Sequence, residues 1–268
     1  MRYFFHIGYN GSNYRGWQRL PQTRGEDVQS VIETSLARVL KIKNVSIVGC
    51  GRTDARVHAS QFFFHIDIEK EWDFDLVFRL NKNLPPDVAV FDIIPMEGTP
   101  HARFDAVERT YNYFIHTYKD PHCNNVSSYY QAKDLNIDEI RKAAGMLLNY
   151  DDYGVFSKNI DARRSLICKI TRAEFHTDRN CENLRFEISA NRFLNGMVRI
   201  IVHKLLTIGS GELSVDEFEN YLVTGKKPGI NRLAYPQGLF LTKVRYPFLD
   251  LPERRSGPYS PGYFAVND

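Results

Sequence analysis

Arg2-Tyr3-Phe4-Phe5-His6-Ile7-Gly8-Tyr9, running into Asn10-Gly11-Ser12-Asn13-Tyr14-Arg15-Gly16-Trp17, is the stretch from which the fold is read. Tyr3, Phe5, Ile7 and Tyr9 point one way and Phe4 and His6 the other, the alternation of a half-buried strand. The Gly, Asn and Ser that follow end it in a loop. Asp27 then stands where it can cap a helix whose apolar residues Val28, Val31, Ile32, Leu36, Val39 and Leu40 keep helical spacing. Val45-Ser46-Ile47-Val48-Gly49 leads through residues 51–59 into another alternating strand, Phe62-Phe64-Ile66-Ile68.

The same order returns further on. Thr110 to Tyr118 alternates as a strand with Tyr111, Tyr113 and Ile115 on one face. Asn136 and Glu139 form a capping pair for a helix carrying Ile137, Ile140, Ala144, Leu147 and Leu148. Leu184, Phe186, Ile188 and Ala190 make a strand, and an apolar helix runs from about Leu194 to Ile208 and stops at Gly209. Ser214-x-x-Glu217 opens a shorter helix, and Leu239 to Tyr246 is a last strand. One-sided strands alternating with helices predict an α+β fold: two similar halves, residues 1–100 and 101–268, each an antiparallel sheet with helices on one face. The tail after Pro247 is rich in Pro and Gly but keeps Tyr259, Tyr263 and Phe264, which suit it to wrap the surface or touch a partner subunit.

Composition narrows the class of function. Of 268 residues, 43% are hydrophobic and 25% charged, as in a soluble globular protein, and no apolar run approaches the roughly 20 residues of a membrane span. The first residues read as a strand rather than a signal peptide, so the expected location is cytoplasmic. Cys50, Cys123, Cys168 and Cys181 form no C-x-x-C pair, which points to reduced, mostly buried thiols rather than a zinc site. With 35 Lys and Arg against 32 Asp and Glu, the net charge of +3 permits nucleic-acid binding, and any basic surface must come from clusters. Arg15, Arg19 and Arg24 make one such cluster and Arg163-Arg164 another; each reads equally as a solvated face.

Three segments carry chemistry. In Cys50-Gly51-Arg52-Thr53-Asp54-Ala55-Arg56-Val57-His58, the glycine allows a tight turn, and an extended backbone sets Arg52 and Asp54 on one side. An arginine partner favours an ionised carboxylate, suited to a nucleophile or an electrostatic stabiliser; an ordinary loop salt bridge has the same signature. Pro100-His101-Ala102-Arg103-Phe104-Asp105-Ala106 leads through Arg109 to Tyr111 and Tyr113. A tyrosine at the start of a strand can stack on a base, or simply belong to the core. In the third segment, Gly196, Arg199 and His203 form a narrow polar stripe on a helix otherwise carrying Met197, Val198, Ile201, Val202 and Leu205. An arginine there needs an anionic partner, for which Asp54 is the obvious candidate and a structural ion pair the alternative.

Together these segments resemble the TruA family of tRNA pseudouridine synthases. The resemblance runs from the start of the chain to about Tyr246. It rests on Gly11 to Gln18 (Gly-x-x-Tyr-x-Gly-Trp-Gln), Val28-Gln29, Gly51-Arg52-Thr53-Asp54, His101-Ala102-Arg103-Phe104, Arg109-x-Tyr111-x-Tyr113, Met197-Val198-Arg199 and Gly238-Leu239-Phe240-Leu241. It implies an isomerase that converts uridine to pseudouridine on the 3′ side of the tRNA anticodon stem-loop, as a homodimer, with no cofactor and no metal. It implies two halves with an active cleft between them. Asp54 is then the nucleophile, Arg52 and Arg199 its partners, and Tyr111 the residue that stacks on the flipped uracil and assists proton transfer. Arg103 and Leu239 fall among the substrate-binding positions. Two departures stand out: Arg56 replaces a usual glycine, so the loop is expected to sit differently there or to gain a phosphate contact, and Ala234-Tyr235-Pro236-Gln237 replaces a usual Ala-Pro.

Two rivals come from other classes. One is a non-catalytic RNA-binding protein whose aromatic strands form a stacking platform, for which an Asp beside an Arg has no purpose. The other is a metal-dependent hydrolase on Asp54, His58 and His101, which needs Asp54 and His58 on one helical face.

Overall fold

The computed structural model describes residues 1–19, 26–132, 134–159, 165–227, 229 and 231–252; Arg24, Arg163-Arg164, Tyr259, Tyr263 and Phe264 lie outside these. The chain divides into two compact units, one of Met1–Val107 with the chain that returns at Phe240, the other of Glu108–Leu239. Along the first run β1 (Arg2–Tyr9), α1 (Val28–Leu40), β2 (Val48–Gly49), β3 (His58–Asp67), α2 (Leu76–Asn83) and β4 (Val88–Met96). The second carries β5 (Glu108–His116), β6 (Ser128–Tyr129), α3 (Ile137–Met146), β7 (Ile170–Thr177), β8 (Asn183–Ala190), α4 (Met197–Gly209) and α5 (Val215–Thr224), and β9 (Leu239–Arg245) leads back into the first.

In the first unit β1 lies between β4 and β3, antiparallel to both, with Phe5 opposite Phe64 and Ile93. Its register with β3 slips between Ile7 and Tyr9, where the strand delivers Tyr9 to the loop discussed below. β9 joins β3 in parallel through His58 opposite Phe240 and Ala59 opposite Leu241. The expectation of an antiparallel sheet is therefore corrected to a mixed one. β9 arrives after the whole second unit, so no tight hairpin dictates its direction.

The half-buried β1 is corrected as well. Phe4, Phe5 and Ile7 are fully buried and His6 almost so, which closes both faces. Tyr246 and Phe248, from the returning chain, pack their rings 5.4 and 5.9 Å from Phe4, and Phe91 covers His6 at 5.2 Å. The alternation in the sequence was real, but a returning strand and its tail cover what would have been the wet face. The same holds for β3, where Phe62, Phe63 and Phe64 are all buried.

Asp27 caps α1 as its position suggested, accepting the Ser30 N–H at 2.8 Å. Two more first-turn donors are satisfied from the preceding loop: Val28 N–H by the Gly16 carbonyl and Gln29 N–H by that of Trp17. Inside α1, buried Glu33 accepts from the Ile47 N–H at 3.1 Å, from Gln29 Nε2 at 3.0 Å and from Arg19. Arg19 is thus committed to a structural ion pair.

In the second unit β8 lies between β5 and β7, with Tyr111 opposite Ile188 and Tyr113 opposite Phe186. β6 pairs with β5 in parallel, a second departure from an antiparallel sheet. Tyr113, Leu184, Phe186, Ile188, Ile200, Ile201, Leu205 and Phe218 are buried in its core, where α3 packs on α4 and α5. Asn136 caps α3, and Ser214 with Glu217 forms a complete capping box on α5. Helix α4 begins at Met197 rather than Leu194, because Gly196 sits at φ 72 and breaks the helical run before it. Cys50, Cys123 and Cys168 are buried free thiols and Cys181 an exposed one.

The connection after β4 is fastened to the far end of β3. Arg2 donates to the carbonyls of Thr99 and Pro100 while pairing with Asp67 at 2.7 Å. His65 Nδ1 accepts the Ala102 N–H at 3.0 Å, and Tyr246 Oη donates to the Ala102 carbonyl at 2.7 Å. Burial, reinforced by the nearby charges of Arg2 and His101, lowers the His65 pKa to about 4. Because that value lies below the unfolded 6.5, the neutral ring stabilises the fold fully above pH 6.5, and the contribution is lost as pH falls from 6.5 towards 4. The thermal midpoint is expected to decline through that window, and His65→Asn, which keeps an acceptor that does not titrate, should flatten the decline. Equal pH slopes for the two proteins in calorimetry would remove His65 as the cause.

Candidate active site

Asp54 lies in the loop between β2 and β3, and the first loop of the chain grips this segment along its length. Trp17 N–H donates to the Thr53 carbonyl at 3.2 Å, and Arg56 N–H donates to the Tyr14 carbonyl at 3.1 Å. Tyr9 and Thr53 join through their hydroxyls at 2.9 Å, and Gly11 N–H donates to His58 Nδ1 at 3.0 Å. Gly16 makes the approach possible. Its φ of 107° is one that side chains rarely tolerate, and a Cβ there would stand 2.5 Å from the Thr53 carbonyl oxygen. Beneath the loop Trp17 is buried with its ring 4.0 Å from Phe62 and 6.1 Å from Tyr9. Tyr14, buried too, donates its hydroxyl to Asp87 and is held protonated by that burial and that carboxylate. The backbone is fixed while the Asp54 side chain is exposed.

Arg52 is also exposed, and it makes no hydrogen bond or ion pair among the described residues. The pairing of Arg52 with Asp54 expected from an extended backbone is therefore not formed. Between two solvated side chains such a pair gains little and costs side-chain freedom.

Arg103 stands on the turn beyond β4. His101 Nδ1 accepts from the N–H groups of Arg103 and Phe104 at 3.1 and 3.2 Å, and Asp105 accepts the His101 N–H at 2.7 Å. Phe104 stacks on the His101 ring at 4.3 Å yet remains 76% exposed. Asp54 enters β3 at His58, whereas this turn is tied to His65, roughly 23 Å further along the strand at about 3.3 Å per residue. Arg103 and Asp54 thus belong to opposite ends of one strand.

In the second unit Tyr111 is half-buried on β5, its ring edge-on to Phe193 at 5.0 Å. Arg109, two residues before it, donates to the Asn191 carbonyl at 3.1 Å. Arg199 is half-buried near the start of α4, and its Nε donates to the Ala234 carbonyl at 2.7 Å. Leu239 is buried where β9 begins. The metal-hydrolase reading loses its ligands. His58 is fully buried with Nδ1 already accepting from Gly11, and among the described residues no three His, Cys, Asp or Glu side chains gather as a metal would require. Sequence reasoning missed Tyr9, Thr53 and the burial of Trp17. The only signal for them was Tyr14 and Trp17 in a loop too polar to need them, with Tyr9 at the end of the strand before it.

Residues 143–247 match the model of the tRNA pseudouridine synthase family. The tRNA pseudouridine synthase A of Parabacteroides distasonis is 40% identical to this chain over 249 residues, covering 92% of this chain and 96% of that protein. That of Bacteroides fragilis is 40% identical over 248 residues with the same coverage, and that of Chlorobium chlorochromatii 32% identical over 241 residues, 90% and 97% of the two chains. The chain belongs to the tRNA pseudouridine synthase A family.

Arg56, at the position where the resemblance implies a glycine, holds a backbone conformation that glycine adopts freely. Val57 N–H donates to the Asp54 carbonyl across Ala55 and Arg56, and Arg56 at the third position has φ 64, as in a type II turn. The arginine is held in the left-handed region, at a cost of about 1 kcal/mol. Arg56→Gly should therefore raise the unfolding free energy by about 1 kcal/mol, and Gly16→Ala should lower it by roughly 2 kcal/mol or more. Urea titration measures both; an Arg56→Gly protein no more stable than its parent would mean that the side chain offsets the strain through contacts of its own.

Proposed function

We propose that Asp54 is the nucleophile with which this chain converts uridine to pseudouridine in tRNA, on the 3′ side of the anticodon stem-loop. The observation that carries the assignment is an exposed carboxylate on a segment whose backbone is held on one side by the Trp17 N–H on the Thr53 carbonyl and on the other by the Arg56 N–H on the Tyr14 carbonyl, while Tyr9 and Gly11 hold the Thr53 and His58 side chains. A reacting group must be presented to a large substrate and yet held in one direction, and this arrangement does both.

The chemistry asks for little else. The bond from ribose C1′ to uracil N1 breaks, the base turns, and C1′ rejoins at C5. The proton that C5 loses is matched by the one that N1 gains, so the reaction is an isomerisation with no oxidant, reductant or water consumed. A carboxylate can attack the sugar or assist loss of a sugar proton. The base must first leave its stack at a cost of a few kcal/mol. Tyr111 offers a ring to receive it. Arg199 is assigned to orient Asp54 and Arg52 to grip RNA, since Arg52 has no structural partner to lose. Arg103, at the other end of β3, and Leu239 complete the substrate-binding set, with Arg103 meeting RNA away from the reacting base. The resemblance implies a cytoplasmic homodimer that works without cofactor; among the described residues no helix is long and apolar enough to cross a membrane.

The test is release of tritium from tRNA labelled at uracil C5. Asp54→Asn is expected to release none while binding tRNA about as well as the parent. Release at the parental rate would remove Asp54 as nucleophile, and no release by the parent from any tRNA would favour a binding protein instead. Mapping of the modified uridines decides the anticodon assignment.

A further inference from the structure

The Arg199 guanidinium is held by the Ala234–Tyr235 peptide group. The carbonyl of Ala234 accepts from Arg199 Nε at 2.7 Å, and on the other side of the same peptide the N–H of Tyr235 donates to Tyr130 Oη at 3.0 Å. A peptide is planar, so the direction of its carbonyl is fixed by whatever fixes its N–H. Ala234 N–H in turn donates to the Arg199 carbonyl at 3.0 Å, which brings the segment against the first turn of α4.

The next peptide is held as firmly. Tyr113 Oη donates to the Tyr235 carbonyl at 2.7 Å, stands 2.9 Å from Ser128 Oγ and lies 3.4 Å from Tyr130 Oη. The ring of Tyr235 packs on that of Tyr130 at 5.2 Å. Pro236 restricts the residue before it to extended geometry, and Tyr235 has φ −58 and ψ 141. Burial keeps both the Tyr113 and the Tyr130 hydroxyls protonated, hence able to donate.

We propose that Tyr130 and Tyr113 are positioning residues for Arg199, Tyr130 acting through the Ala234–Tyr235 peptide and Tyr113 by holding the adjoining Tyr235–Pro236 peptide. They set the direction of the carbonyl that fixes the guanidinium, and thereby the face that Arg199 offers to the reaction. The proposal rests on the role assigned to Arg199 above. It also accounts for a local peculiarity: an N–H is available at position 235 because tyrosine, not proline, follows Ala234.

Tyr130→Phe removes one hydroxyl and keeps the ring. It is expected to lower kcat roughly three- to tenfold, the scale of one hydrogen bond, with KM and the thermal midpoint nearly unchanged. Tyr113→Phe, which removes the shorter bond, should show the same pattern more strongly, and serves if the first variant folds poorly. The deciding measurement is a double-mutant cycle under single-turnover conditions: in an Arg199→Ala background either change should have no further effect. A fall of equal size in that background, or one that tracks the thermal midpoint, would mean a merely structural role and overturn the proposal. An Arg199→Ala protein with full kcat would overturn it from below, by removing the function assigned to Arg199.

Discussion

The contact between Gly16 and Thr53 is the constraint on which the first unit's functional loop depends. A carbonyl must come within hydrogen-bonding reach of the Trp17 N–H with no Cβ in the way, and only glycine at φ 107 allows it. Once made, the contact places Trp17 over Phe62 and hands the carbonyls of Gly16 and Trp17 to the first turn of α1. Aromatic packing, a helix start and the Asp54 loop are thus one cooperative unit. A change in any of them reaches Asp54 without touching its side chain.

The sheets then act as spacers. β3 is buried on both faces, so it has no freedom to slide or bend. It carries the Asp54 loop at one end and, through His65, the Arg103 turn near the other. β5 does the same in the second unit, holding Tyr111 against Phe193 and, two residues on, Tyr113 against the segment that anchors Arg199. Residues two apart on a strand point to the same face, which is why one strand can present the proposed stacking residue Tyr111 and also hold the scaffold through Tyr113.

Much of this was legible in the sequence, and the reasons differ by element. Caps at Asp27, Asn136 and Ser214 were readable because each depends on side chains within three residues of one another. The strands were readable from alternation, but their burial was not, because the cover on Phe4 comes from Tyr246 and Phe248, far along the chain. Parallel pairing of β9 with β3 was hidden for the same reason. At the site, spacing alone left each residue with an ordinary structural reading and the resemblance supplied the candidates, whereas the supports had no local signal. Tyr9 with Thr53, and Tyr130 with Tyr235, meet only after folding. Arg56 misled in an instructive way: its side chain argued against a left-handed backbone, and the two bonds flanking it, Arg56 N–H to Tyr14 and Val57 N–H to Asp54, outweigh an objection of about 1 kcal/mol.

An isomerisation that consumes nothing leaves the protein few means of acceleration besides orientation and the expulsion of a base from its stack. That makes second-row contacts more consequential than the number of reacting groups suggests. The same structural device then appears twice in this chain: the peptide groups next to a proposed reacting side chain, or bonded to it, are fixed from both sides. For Asp54 the fixing bonds are made by Trp17 and by Tyr14, and for Arg199 by Tyr130 and Tyr113. Main-chain groups suit this task because a peptide plane transmits orientation without rotamers of its own.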